Sequence, residues 1–297
     1  VASRGLGDVY TRQSLPRLNK PDRDANEVFA WPLAGAPEGT KPDPRYLVPY
    51  ADPKPAPYPV PIKKAEKPKQ PNVLIVFTDD QGYADLACYG NKLNKTPRLD
   101  QLAKEGTRFT SFYSQTVCGP SRSALLTGRQ PIRSGGWGMP AAEITWAELI
   151  RKAGYQTACI GKWDVSNRKP IIPRMPNAQG FDYFYGALGA NDAGVVHLHE
   201  NTEPAGSTRD MGGLIKLYTD KSIDYLKNKR DPDKPFVLYL AHTMMHTIIN
   251  ASPKFRGKSK GGLYGDVVEE FDFETGRLLD TLDELKPVSY THLTLPT

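Results

Sequence analysis

Asn72-Val-Leu-Ile-Val-Phe77, followed at once by Thr78-Asp79-Asp80, is a continuous apolar run that ends in polar groups. A strand buried on both faces of a parallel sheet reads this way, because helices cover both sides and only its carboxyl end meets water. The downstream sequence repeats the alternation. A helix is predicted over Pro97–Glu105, with Leu99 and Leu102 on one face and Gly106 as its stop, and another over Ile144–Ala153, ended by Gly154. Gln156–Ile160 reads as a strand, Leu214–Lys229 as a helix with Ile215, Tyr218, Ile223 and Leu226 inward, and Phe236–Ala241 as a second buried strand. Val267–Leu285 forms a closing helix. Strands alternating with helices of this length predict an α/β domain with a largely parallel central sheet flanked by helices. Ligands collect at the carboxyl ends of such strands. Asp79, Asp80, Lys162 and His246 all fall there.

Upstream of Asn72 the chain changes character. Fourteen of its 27 prolines lie in residues 1–71, most densely in Asp52-Pro-Lys-Pro-Ala-Pro-Tyr-Pro-Val-Pro-Ile62. Proline fixes φ and removes a backbone donor, so residues 1–70 read as an extended arm with a Lys-rich linker, and the folded domain as 71–286. A length of 297 residues with 39% hydrophobic and 24% charged side chains excludes a chain disordered throughout. The longest apolar run, Phe236–Ala241, is far short of the roughly 20 residues that a membrane span needs. No leader-peptide pattern opens the chain at Val1. The net charge of +6 is scattered rather than clustered beside aromatic residues, which argues against nucleic acid as a partner. Cys88, Cys118 and Cys159 form no C-x-x-C pair, so neither a disulfide scaffold nor a zinc site is expected.

One cysteine is placed for chemistry. Cys118 directly precedes Gly119-Pro120, a pair that can open a helix, and this sets its side chain at the positive end of the helix dipole, where an anion or a nucleophile is favoured. Cys118-Gly-Pro-Ser121-Arg122, followed by Leu126-Thr-Gly-Arg129, resembles the signature of the type I, formylglycine-dependent sulfatases of the alkaline phosphatase superfamily. The resemblance extends from Asn72 to Lys286 and implies an alkaline-phosphatase-like fold and hydrolysis of a sulfate monoester, from an aryl sulfate or a sulfated carbohydrate.

The family's chemistry assigns roles residue by residue. The resemblance implies that Cys118 is converted to formylglycine by a formylglycine-generating enzyme. The hydrate of that aldehyde has one hydroxyl to attack sulfur and a second to release the sulfate afterwards. Arg122 then holds residue 118 and offsets charge. Asp79 and Asp80, which by composition alone are two solvated loop acids, become ligands of a calcium ion, with magnesium the alternative, joined by residue 118. Neighbouring strand residues point to opposite faces, so both acids reach one ion only if the backbone turns, and Gln81-Gly82 is expected to provide that turn. Gly161-Lys162-Trp163 resembles a segment whose lysine contacts the sulfate. Its fourth position is histidine in the family but Asp164 here, with Asn167 and Arg168 as further substrate contacts from the following loop. His246 aligns with a histidine that binds sulfate and protonates the leaving oxygen, although both flanking prolines of the family pattern are replaced, by Met245 and Ile248.

The remaining histidines carry less. His242 reads as a satisfied core residue, and His197 with His199 as neighbours on one strand face, a paired metal site being the alternative. Asn94 and Asn250 each begin a glycosylation triplet. Selectivity is expected in a loop from Phe181 to Asp210. Family members complete the metal site on a later Asp-Asn-Gly segment and add a further lysine, neither of which occurs here. The chain therefore reads as an N-terminal fragment, expected to bind calcium weakly, to turn over little or no sulfate ester, and to end its sheet at a bare edge, with apolar faces of the closing helix exposed. Residues 287–297 resemble a tail that recurs at the ends of assembled environmental sequences and are read as foreign, which removes His292 from the candidates. Export to the periplasm or beyond the cell follows from the resemblance. A phosphomonoester, phosphodiester or phosphonate hydrolase, or a non-catalytic carbohydrate-binding relative, is the alternative reading.

Overall fold

The computed structural model describes residues 70–285 and the backbone of 290–295, so the reading of the proline-rich arm lies outside the described residues. Seven strands form one sheet: β1 (Asn72–Phe77), β2 (Gln156–Lys162), β3 (Tyr183–Ala187), β4 (Val196–Glu200), β5 (Glu203–Thr208), β6 (Phe236–Ala241) and β7 (Tyr290–Leu295). Their order is β5-β4-β3-β2-β6-β1-β7. The pairs β1/β6, β1/β7, β2/β6 and β2/β3 are parallel, and β3/β4 and β4/β5 are antiparallel. The principal helices are α1 (Pro97–Glu105), α2 (Cys118–Thr127), α3 (Pro131–Ser134), α4 (Trp146–Lys152), α5 (Leu214–Asp224) and α6 (Gly262–Leu285).

Alternation along the central strands divides the interior into two layers. Leu74, Val76, Ala158, Ile160, Leu238 and Leu240 pack against Leu214, Ile215 and Tyr218 of α5 and Val267, Phe271 and Leu278 of α6. Ile75, Phe77, Cys159, Val237 and Tyr239 face the other way, onto Leu126, Met139, Ala147, Trp163 and Phe181. Each strand is thus covered on both faces, as continuous apolar runs require.

Several boundaries shift for local reasons. The helix read from Ile144 starts at Trp146, because Thr145 caps it: its hydroxyl accepts from the Glu148 amide while the Glu148 carboxylate accepts from the Thr145 amide. The helix read over Leu214–Lys229 is α-helical to Asp224 and closes as a π-helical turn over Tyr225–Lys229. α6 begins at Gly262, five residues before the first apolar pair that periodicity detects. The supposed loop from Phe181 to Asp210 holds β3, β4 and β5. β5 reads Glu-Pro-Ala-Gly-Ser-Thr and is almost wholly exposed, so no apolar pattern announced it. The sheet edge moves from β1 to β7, which is terminal in the strand order, and of the apolar side chains on α6 Leu263 and Phe273 stay exposed. β7 lies along β1, and Val267, Val268, Phe271, Leu278 and Leu282 of α6 are buried.

Candidate active site

The carboxyl ends of β1, β2 and β6 meet the amino end of α2. Pairing of β1 with β6 continues past the strands, with the His242 amide donating to the Phe77 carbonyl and the Asp79 amide to the Met244 carbonyl. Asp79 is carried inward and fully buried, while Asp80 takes a left-handed conformation (φ 58°) that turns its side chain out to 59% exposure. The expected turn at Gln81-Gly82 is therefore made one residue earlier, by Asp80 itself. Aspartate tolerates this region better than most residues.

Four charged side chains interlock beneath the surface. Lys162, the last residue of β2, places Nζ 2.5 Å from Asp79 Oδ2 and 3.5 Å from Asp164 Oδ2. Arg122 of α2 donates to the carbonyls of Lys162 (2.8 Å) and His242 (2.9 Å), lies 3.6 Å from Asp79 Oδ2, and stacks its guanidinium over Phe77. One side chain thereby ties α2 to the ends of β2 and β6. All four groups are essentially inaccessible to water, and two cations balance two anions, the condition under which buried charge is tolerated. Gly161 makes the approach of β2 to β6 possible: at φ 112° its Cβ would lie 2.0 Å from the Ala241 carbonyl oxygen.

Cys118 stands at the first position of α2, beside this cluster and nearly buried. Burial pushes its thiol up; Lys162 pulls it down, and Asp164 and Asp79 add to the rise. The helix-end argument for an activated thiol is thus outweighed, and an unconverted Cys118 is a neutral thiol at neutral pH. Asp164, at φ 59°, accepts from the Trp137 indole (3.1 Å) and from Arg168 Nε (2.9 Å). The Trp137 ring lies so close to Gly119 that a Cβ there would be 2.2 Å away, yet 38% of the residue remains exposed. Arg168 also donates to Asp192 (2.8 Å), so two carboxylates already hold the guanidinium expected to contact substrate. Asn167 packs against Gly138 and gives its amide to the Trp137 carbonyl.

His246 joins from the turn after β6. Its Nε2 is 3.5 Å from Asp80 Oδ2, and its Nδ1 faces Asn191, Thr247 and Asp192. His242 is a core residue, as read: it is buried between Tyr218 and Phe271, its Nδ1 accepts from the Met244 amide, and burial and then Arg122 push it down to about 3. His197 is exposed and His199 buried on β4, with an irregular register between them. Among the described residues no three His, Cys, Asp or Glu side chains converge in a way that could hold a metal ion. Of Asp79, Asp80 and Cys118, expected as joint ligands, Asp79 has its Oδ2 on Lys162 and Asp80 is turned out toward His246. Oδ1 of Asp79 is nonetheless buried without a hydrogen-bond partner. An orphaned carboxylate oxygen at a strand end is the atom that a hard cation would complete, so a divalent ion fits at Asp79, with Asp80 as the adjoining carboxylate.

Sequence reasoning missed Trp137, Asn191 and Asp192. Gly-Gly-Trp-Gly and Gly-Ala-Asn-Asp lie far from the motifs, and only tertiary contact places them at the site.

A mostly parallel sheet with buried cations and carboxylates around a helix-terminal cysteine defines an α/β protein with a charged cluster at its strand ends. A sulfatase family model matches residues 71–289. The N-acetylgalactosamine-6-sulfatase of Canis lupus familiaris is 33% identical over 256 residues, covering 75% of this chain and 48% of that protein. The steryl-sulfatase of Mus musculus is 31% identical over 325 residues, covering 79% and 50%. Among solved structures, the PsFucS1 sulfatase from Pseudoalteromonas sp. superposes with a TM-score of 0.68 at 28% identity, over 77% of this chain and 55% of that one. The chain belongs to the sulfatase family, with its alkaline-phosphatase-like α/β fold, and spans about half the length of the curated relatives it matches.

Proposed function

We propose that this chain carries the nucleophile and the sulfate-receiving groups of a sulfate monoester hydrolase acting on a sulfated carbohydrate. The observation that carries the reading is the packing of Cys118 against the buried Lys162, Arg122, Asp79 and Asp164 cluster at the strand ends. Formylglycine at position 118 would supply, as its hydrate, one hydroxyl to attack sulfur and another to release sulfate, and a calcium or magnesium ion held by Asp79 and Asp80 would draw charge from the sulfate oxygens. Lys162 sits where its ammonium can face a sulfate oxygen, and Arg122 holds the first turn of α2 in register with β2 and β6. His246 directs Nε2 outward, where it can protonate the departing alcohol oxygen. Asp164 occupies the family's histidine position as a carboxylate anchored by Trp137 and Arg168, which makes it an acceptor facing residue 118 rather than a proton donor.

The carbohydrate reading is supported by the half-exposed Trp137 ring beside the nucleophile, an apolar plate with its polar edge already bonded. It is supported too by the sulfated sugar in the name of the N-acetylgalactosamine-6-sulfatase relative. Co-expression with a formylglycine-generating enzyme tests the nucleophile: the Cys118 peptide should lose about 18 Da on conversion of thiol to aldehyde. Sulfate ester turnover by protein whose Cys118 remains a thiol would overturn the assignment. A preference for aryl phosphate over aryl sulfate would move the substrate class.

A further inference from the structure

His246 is fastened by a side chain that the chemistry above does not use. Asn191, in the connection between β3 and β4, is fully buried. Its amide nitrogen donates to the carbonyls of His246 (3.2 Å) and Ile248 (2.9 Å), and its amide oxygen lies 3.1 Å from His246 Nδ1. Two carbonyl partners determine which end of the amide is nitrogen, so the oxygen has to face the ring. The other neighbours of Nδ1, the Thr247 carbonyl at 2.6 Å and Asp192 Oδ1 at 3.4 Å, are acceptors as well. A nitrogen surrounded by three acceptors carries the hydrogen. Nε2 is left on the opposite edge, 3.5 Å from Asp80 Oδ2.

We propose that Asn191 is a positioning residue that selects the Nδ1–H form of the His246 ring and aims Nε2 at the leaving oxygen of the bound ester. The inference rests on reading His246 as the proton-donating histidine. Once the Nε2–H bond has broken, its electron pair stays on Nε2 and the proton joins the oxygen released from sulfur. The neutral ring that remains is the Nδ1–H form that Asn191 already binds. Because the same amide also grips the carbonyls on either side of the His246–Ile248 turn, one residue sets both the ring form and its aim. A buried amide with this many partners orients a reacting imidazole as the carbonyl or carboxylate partner of a metal-bound histidine does.

The test uses the whole protein with Cys118 converted, histidine labelled with ¹⁵N, and 4-nitrophenyl sulfate as the probe substrate. Signals of His246 are identified by their loss in His246→Gln. In the unaltered protein Nδ1 should resonate as a protonated nitrogen and Nε2 as an unprotonated one when the ring is neutral. Asn191→Ala should move both toward the average of exchanging forms and lower kcat about 10- to 100-fold, with KM changed far less, the size seen when partners that orient a functional histidine are removed. Asn191→Asp retains an acceptor for Nδ1 but loses both amide donors to the turn, so it should keep the ring form and recover only part of that loss. It also decides the matter if Asn191→Ala does not fold, since Nε2–H as its major form with kcat unchanged overturns the proposal. Unaltered nitrogen shifts and kcat in a folded Asn191→Ala overturn it equally. A change of ring form in a protein that never hydrolyses sulfate esters would instead sink the role given to His246 and leave the contact standing.

Discussion

Two groups of buried acids behave in opposite ways. Along α6, carboxylates serve as backbone caps: Asp266 accepts the amides of Gly257, Lys258 and Ser259, Asp272 those of Arg98 and Leu99 at the start of α1, and Glu270 that of Ser252. At the strand ends, Asp79 and Asp164 are matched by Lys162 and Arg122 from other segments, Asp164 and Asp80 sit at positive φ, and Asp79 Oδ1 and Arg122 Nε have no partner. Acids whose lone pairs are filled by amides close a structure. Acids held by buried cations, with atoms left over, mark a place where a ligand is still to come. If this contrast is right, substitutions at the strand ends should abolish turnover, whatever their effect on stability, and those on α6 should lower stability while leaving kcat intact.

The largest effect should come from Cys118→Ala. Turnover of an aryl sulfate by the matured protein should fall at least about a thousandfold, while the melting temperature moves little, since Cys118 makes no hydrogen bond on which α2 depends. Comparable residual turnover would remove Cys118 from the chemistry. Next in size is Lys162→Met, which leaves Asp79 buried beside Arg122 alone. Denaturant unfolding should show a loss of about 3–5 kcal/mol, along with most of the activity. A loss under about 1 kcal/mol would show that the cluster is hydrated and the charge balance drawn here unnecessary.

A smaller loss, about 2 kcal/mol, is expected for Asp266→Ala, which frees three amides of the turn before α6. The remaining folded protein should keep its kcat, and a drop in kcat would blur the division between the two groups of acids.

The last effects to test are pH slopes of opposite sign. Burial pushes Asp272 up to about 6, above its unfolded value, so the native state holds the extra proton and stability falls as pH rises from about 4 to 6. Asp272→Asn should remove that slope. His242 is displaced the other way, down to about 3, so the unfolded chain takes up the proton first and stability falls as pH drops from about 6.5 toward 3. His242→Phe, between Tyr218 and Phe271, should flatten that arm. Melting temperatures recorded across pH 3–7 check both, and parallel slopes in the variants and the parent would refute the burial argument.

Local sequence decided much of this architecture. Apolar continuity set β1 and β6 to the residue, because a strand covered on both faces admits no polar side chain until it ends, and Thr145 opened α4 by capping while α1 closed at Gly106, whose amide donates to the Leu102 carbonyl. Cys118, Arg122, Lys162, Asp79 and His246 were legible as a set because their residue types and motif spacing are written in the chain itself. The pairing of β4 with β5 was not legible, since β5 is almost wholly exposed and has no apolar signature. Nor were the left-handed turn at Asp80, the rise of the Cys118 thiol, the double ion pair that occupies Arg168, or the grip of Asn191 on His246. Apart from the four-residue link of Arg168 to Asp164, these depend on groups more than twenty residues apart or on the exclusion of water, and such effects have no energy until the tertiary fold has brought the partners together.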